Sequence, residues 1–189
     1  MKKALIVVDM QNDFVDGSLG TKEAQEIVEA VEKKVKAARE MGTELLFTRD
    51  THGEDYLQTK EGKSLPVIHC VKETEGWEII DCLKPYADRI FDKETFGSIA
   101  LADYVAEQGY ESIELVGLCT DICVVSNALL LKARLPETDI VVDRSALCRS
   151  NSREPRGGAV YDADVSDPDT ITVLMAGDER DVSIMGKDI

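Results

Sequence analysis

The sequence predicts a three-layer, doubly wound α/β fold, a mainly parallel sheet with helices on both faces. Two observations carry this. Short, apolar, largely β-branched runs recur as ALIVV (4–8), ELLFT (44–48), SIELVG (112–117) and DIVVD (139–143). Stretches with helical periodicity lie between them, and that alternation builds parallel βαβ units. The length, 189 residues, suits a domain with a full hydrophobic core.

Residues 4–8 are apolar at every position, as a strand buried on both faces requires. Residues 22–41 space Ile27, Val28, Val31, Val35 and Ala38 along one helical face among Glu and Lys, and Gly42 stands where that helix should stop. Residues 44–48 read as the second strand. Residues 50–75 have no clear period and predict a long loop, which in a compact domain is usually functional. Residues 98–108 read as a helix, 112–117 as a strand, 121–133 as a helix and 139–143 as a strand.

The charge balance is strongly acidic, with 37 Asp and Glu against 22 Lys and Arg. Nucleic acid and anionic membranes would repel such a surface, so neither is expected as a partner. The opening MKKALIVVDMQNDF has an apolar run of only five residues before Asp9. That is short for a signal peptide and far too short to cross a bilayer, so a cytoplasmic location is expected. Five cysteines, an odd number, read as reduced thiols.

In parallel sheets, chemistry collects at the carboxyl ends of the strands. Asp9, Asp50 and the segment from Cys119 to Cys123 each follow a predicted strand and should meet at one rim. In LVGLCTDICVVSNALLLKA (115–133), LCTDIC would form the turn and the first turn of a helix. Thr120 or Asp121 could cap it. Cys123 would then lie near N–H groups and a helix dipole that favour a thiolate and could hold an oxyanion. A pair of buried core thiols is the plainer alternative. A disulfide is disfavoured in the cytosol, and a zinc site would need further ligands close by. A nucleophile needs a proton acceptor and a countercharge. Asp9, a carboxylate at a buried strand end, would be costly if idle. Lys93 in FDKETFGS is a cation on a turn-like segment, with an ordinary solvated charge as its alternative. The two histidines, His52 and His69, fall in the long loop with Asp50 and Glu61. That donor set suits Zn²⁺, Mn²⁺ or Fe²⁺, although loop histidines can simply hydrogen-bond.

DMQNDFVDG (9–17), RDTH (49–52), LPVIHC (65–70), DKETFGS (92–98) and GLCTDICV (117–124) resemble, in order, the blocks of the isochorismatase-like cysteine hydrolases, especially the nicotinamidase-related amidases. The likeness covers about residues 3–145. It implies an isochorismatase-like, Rossmann-like sheet and an Asp9–Lys93–Cys123 triad. It also implies a cis peptide before Cys119 that aims the N–H groups of Cys119 and Cys123 at an oxyanion. Cys123 would attack an amide to form a thioester, with Asp9 shuttling the proton. The metal ligands implied are Asp50, His52 and His69, with Glu61 as the acidic fourth and Glu54 as its alternative. A divalent ion, zinc before manganese or iron, would orient the ring nitrogen of nicotinamide. Phe14 and Leu19 would line the pocket. Leu65 and Ile122 stand there where nicotinamidases often carry aromatic residues. The implied reaction is nicotinamide to nicotinate and ammonia, in NAD salvage, by a protein that assembles into homo-oligomers. An amidase for another small carbamoyl or ureido amide is the alternative within the fold, and an idle binding or scaffold module the alternative outside it. An isochorismate-type ether hydrolase is disfavoured, since that chemistry needs no thiol.

Two segments are expected: a hydrolase domain over residues 1–146 and an atypical ending over 147–189. The ending shows no amphipathic helix where the fold needs a last helix and strand. One permissible codon choice for residues 147–167, read one nucleotide later, gives CAGVTPESHEAALYTMQMCQI, which resembles the family's usual ending. Residues 147–189 therefore read as a frameshifted terminus that leaves the last helix and strand disrupted.

Overall fold

The structure is a computed structural model that describes residues 2–148. In chain order it comprises β1 (Lys3–Val8), α1 (Asn12–Val15), α2 (Lys22–Glu26), α3 (Val28–Glu40), β2 (Glu44–Asp50), α4 (Lys60–Ser64), β3 (Ile90–Lys93), α5 (Ile99–Gln108), β4 (Ser112–Leu118), α6 (Val125–Arg134) and β5 (Asp139–Cys148). The strands form one sheet in the order β3-β2-β1-β4-β5, and every pairing is parallel. This is the doubly wound arrangement expected.

The unbroken apolar run of β1 is explained by the two cores. Leu5 and Val7 face one side, where they join Leu45, Phe47 and Val116 under Val31, Val35 and Ala38 of α3. Ala4, Ile6 and Val8 face the other, with Leu46, Ile113 and Leu115 under Leu101 and Val105 of α5 and Ala128 and Leu131 of α6. Successive side chains of a strand point to opposite faces, so a strand covered on both sides must be apolar throughout.

The boundaries differ from expectation in four places. The helix expected over 22–41 is two helices, because Ile27 closes α2 and opens α3 with ψ −12. β3 was not expected. It is a four-residue edge strand with mostly half-exposed side chains, too short and too polar to show a strand pattern. Lys93 therefore ends a strand rather than sitting in a turn, opposite Asp50 in the β2–β3 register. The loop over 50–75 carries a 3₁₀ turn at Tyr56–Gln58 and the short α4, whose Thr59 cap accepts from Gly62 N–H (2.9 Å). β5 runs past residue 143, pairing Leu147 with Gly117 and Cys148 with Leu118. The first two residues of the atypical ending are thus in the sheet. Residues 149–189, on which the expectation of a missing helix and strand falls, lie outside the described residues. No helix among the described residues is long and apolar enough to cross a membrane.

Gly117 marks the closest approach of β4 to β1. Its φ of +111° suits glycine, and a Cβ there would overlap the main chain of Val8. Gly117→Ala is expected to cost more than about 1 kcal/mol of stability. It should also lower activity, because Val8 carries Asp9. Urea denaturation monitored by circular dichroism checks the first effect.

Candidate active site and metal centre

Strand order reverses between β1 and β4, and ligands in open α/β sheets bind outside the carboxyl ends at such a switch point. The candidate residues converge there. Asp9 directly follows β1, Asp50 ends β2, Lys93 ends β3 and Cys119–Cys123 follow β4. Asp9 has a left-handed backbone, φ 49°. Thr48 holds it, donating Oγ1–H to Asp9 Oδ1 (2.6 Å) and accepting from Asp9 N–H (3.2 Å). Lys93 is the hub. Its Nζ lies 2.7 Å from Asp9 Oδ2, and it donates to Asp50 Oδ1 (3.0 Å) and to Cys123 Sγ (3.6 Å). All four side chains are buried.

Burial and charge set the protonation of this cluster. Burial pushes the Asp9 carboxyl up against the pull of Lys93. Burial also opposes ionisation of Asp50, but the facing imidazoles of His52 and His69 and the Lys93 charge together hold its carboxyl well below the usual range. Lys93 is driven well up: burial works against its charge, and the negative charges of Asp9, Cys123 and Asp50 prevail. Burial and the Asp9 charge push the Cys123 thiol well up, and Lys93 pulls it down without prevailing. Burial thus works toward the thiol form of Cys123, against the helix start and the Lys93 charge, which favour a thiolate.

The nucleophile segment departs from a simple helix start. Thr120–Val124 is a π-helical turn preceding α6, and the Leu118–Cys119 peptide is cis. Cys119 occupies the cap position and its carbonyl accepts from Ile122 and Val124 N–H. Thr120 does not cap the turn as expected. Its hydroxyl donates to Cys148 O (2.8 Å), since β5 lies alongside. Asn127 braces the turn, donating to Cys123 O (2.8 Å) and Phe96 O (3.2 Å) and accepting from Ser98 N–H (2.9 Å).

Beside the triad, Asp50, His52, Glu61 and His69 bring one ligand atom each to within 4.8 Å of one another. Exposed Glu54 is not in this group, so Glu61 is the acidic residue the fold supplies. Asp50 Oδ2 lies 2.9 Å from His52 Nε2 and 3.6 Å from His69 Nε2. His69 Nδ1–H donates to Val67 O (2.7 Å), which leaves the lone pair on Nε2. His52 Nε2 is buried with no aligned hydrogen-bond partner. Burial and the neighbouring Asp50 charge push Glu61 up. Two imidazole nitrogens and two carboxylates, one nitrogen orphaned and the acids crowded, fit a divalent cation such as zinc.

Of the expected pocket residues, Phe14 meets the metal group. Phe14, on α1, packs its ring 5.5 Å from that of His69. Leu19 is half-buried in the turn after α1, its N–H on Asp13 O (2.8 Å). Leu65 is half-buried after α4, and Ile122 is half-buried one position before the nucleophile. Sequence reasoning missed Gln11, Thr48, Tyr56 and Asn127. Gln11 clamps the main chain of Asp50, accepting from its N–H (2.7 Å) and donating to its carbonyl (2.8 Å) and to Trp77 O (2.8 Å).

The isochorismatase domain family matches residues 3–160, most of the chain and past the end of the motif likeness at residue 145. The chain belongs to that family. Among relatives of this isochorismatase-family protein, an uncharacterized isochorismatase family protein PncA of Bacillus subtilis is 31% identical over 143 residues, covering 68% of this chain and 78% of the relative. The solved structure of a pyrazinamidase of Pyrococcus horikoshii in complex with zinc is 28% identical with a TM-score of 0.70, covering 80% of this chain and 89% of that one. An N-carbamoylsarcosine amidase from Thermoplasma acidophilum is also 28% identical, with a TM-score of 0.69, covering 81% and 87%. The isochorismatase-family protein is thus an amidohydrolase, a hydrolase of amide C–N bonds.

Proposed function

We propose that this amidohydrolase is a metal-assisted cysteine amidase that converts nicotinamide to nicotinate and ammonia. The observation that carries the reading is the Lys93 hub, which joins Asp9 and Cys123 within 2.7 and 3.6 Å beside a four-residue metal group. Cys123 starts as a thiol, so attack requires loss of its proton as the C–S bond forms. Asp9 Oδ2 finds no aligned donor and can take that proton. Lys93 balances the charge left on the pair. The N–H groups of Cys119 and Cys123 are assigned to the oxyanion. The protonated Asp9 then gives its proton to the departing nitrogen, releasing ammonia and leaving a thioester. Asp9 next takes a proton from water as the hydroxide adds to the thioester; the C–S bond breaks, the departing Cys123 sulfur takes that proton back from Asp9, and the acid leaves as nicotinate with its own proton passing to solvent.

Asp50, His52, Glu61 and His69 would hold a divalent ion, zinc before manganese or iron, which supplies a Lewis-acid anchor for the pyridine nitrogen. Phe14, Leu19, Leu65 and Ile122 would line the ring pocket. The zinc-holding Pyrococcus relative supports this, since pyrazinamide carries a ring nitrogen in the same relation to its carboxamide. The five cysteines are thiols rather than disulfides, which supports a cytoplasmic location; a place in NAD salvage follows from the proposed substrate. The likeness to N-carbamoylsarcosine amidase supports a small carbamoyl amide as the second reading. Ammonia release decides. Release from nicotinamide that a chelator suppresses and zinc restores is expected. Release only from N-carbamoyl amides would favour the second reading, and release from neither would overturn both.

A further inference from the structure

Tyr56 belongs to no part of the reaction described above, yet it is one of the largest fully buried side chains among the described residues. Its ring centroid lies 4.5 Å from that of His52 and 4.8 Å from that of His69, and the two imidazoles are themselves 4.8 Å apart. The three rings form a closed triangle, with Tyr56 and His52 tilted at 49° and the other two pairs near edge-on. The phenol donates to Leu65 O (2.9 Å). Leu65 in turn closes α4, its N–H on Glu61 O (2.7 Å). The Tyr56 carbonyl accepts from Thr59 N–H (3.0 Å) and Thr59 Oγ1–H (2.7 Å), which starts α4.

We propose that Tyr56 is a positioning residue for the metal centre: its ring fixes the planes of His52 and His69. The inference rests on the metal reading of that site. His69 has a second anchor, through Nδ1 at Val67 O, whereas His52 Nε2 meets Asp50 Oδ2 at 2.9 Å without hydrogen-bond alignment, so packing against Tyr56 sets its plane. A metal–imidazole bond needs the nitrogen lone pair in line, and losing an orienting partner typically weakens metal binding about 10- to 100-fold.

The test uses the full chain with zinc or cobalt(II) alone. Zinc affinity is measured by competition with a chromophoric chelator, and the cobalt(II) absorption bands report ligand geometry. Tyr56→Phe keeps the ring and should bind zinc within about 3-fold of wild type, with the same cobalt bands. Tyr56→Leu should bind about 10- to 100-fold more weakly, with shifted bands. Should Tyr56→Leu fail to fold, Tyr56→Met, unbranched and able to fill an irregular gap, makes the same comparison. A folded Leu or Met variant with wild-type affinity and bands would overturn the proposal, as would a Phe variant as impaired as Leu. A wild-type chain that binds neither ion would instead overturn the metal reading itself.

Discussion

Cys123→Ala is expected to reduce amide hydrolysis by about 10⁴-fold or more, the scale seen when a nucleophile is removed from a concerted set. The fold should remain intact. Cys123 is small and buried, and its recorded polar contact is the 3.6 Å one from Lys93, which keeps Asp9 and Asp50 as partners. Thermal unfolding within a few degrees of wild type checks this, alongside ammonia release. The environment of the sulfur adds a second signature. Burial and Asp9 hold the thiol protonated, so alkylation by iodoacetamide without substrate should be slow at neutral pH and rise with pH. Fast alkylation at pH 6 would show a resting thiolate and contradict the concerted proton transfer to Asp9.

Asp50→Asn should produce the other large effect, and in two separable parts. One oxygen of this carboxylate contacts Lys93 and the other faces both imidazoles, so a single charge serves the triad and the metal group. The isosteric amide keeps the shape and removes that charge. Zinc affinity should fall by more than about 10-fold. At saturating zinc, kcat should still stay below wild type by about 10-fold or more, since among the described residues Lys93 then keeps only Asp9 as an anionic ion-pair partner beside the thiol. Full recovery of kcat with zinc would confine Asp50 to the metal group.

Much of this site could be read in the sequence because its members sit where local signals are strong. Asp9 and Asp50 interrupt apolar strands with a charge, and Cys123 follows a β-branched run into a polar turn. Each is a local conflict that burial makes expensive, and such conflicts mark functional positions. The parts that could not be read depend on distant partners. Gln11 is recognisable only from its clamp on Asp50, 39 residues away, and Asn127 only from its link to Phe96, 31 residues away. Tyr56 looks like any loop aromatic until the fold closes two histidines around it. β3 is not legible because a four-residue edge strand, half-buried at Ile90 and Phe91, exposed at Asp92 and buried at Lys93, has no alternation to detect. The protonation of Cys123 is hard to read from sequence for a related reason. A helix start favours a thiolate, but desolvation, which no sequence displays, pushes the thiol up.

The central claim is that Asp9, Lys93 and Cys123 act as one catalytic unit, and a cycle of variants tests it most directly. The kcat/KM for ammonia release is measured for Asp9→Asn, Lys93→Met and Cys123→Ala singly and together. Residues that act as a unit give losses that do not add, so each single variant should fall nearly to the level of the triple one. Losses that multiply across the set, or any one of the three variants working at close to the wild-type rate, would contradict it.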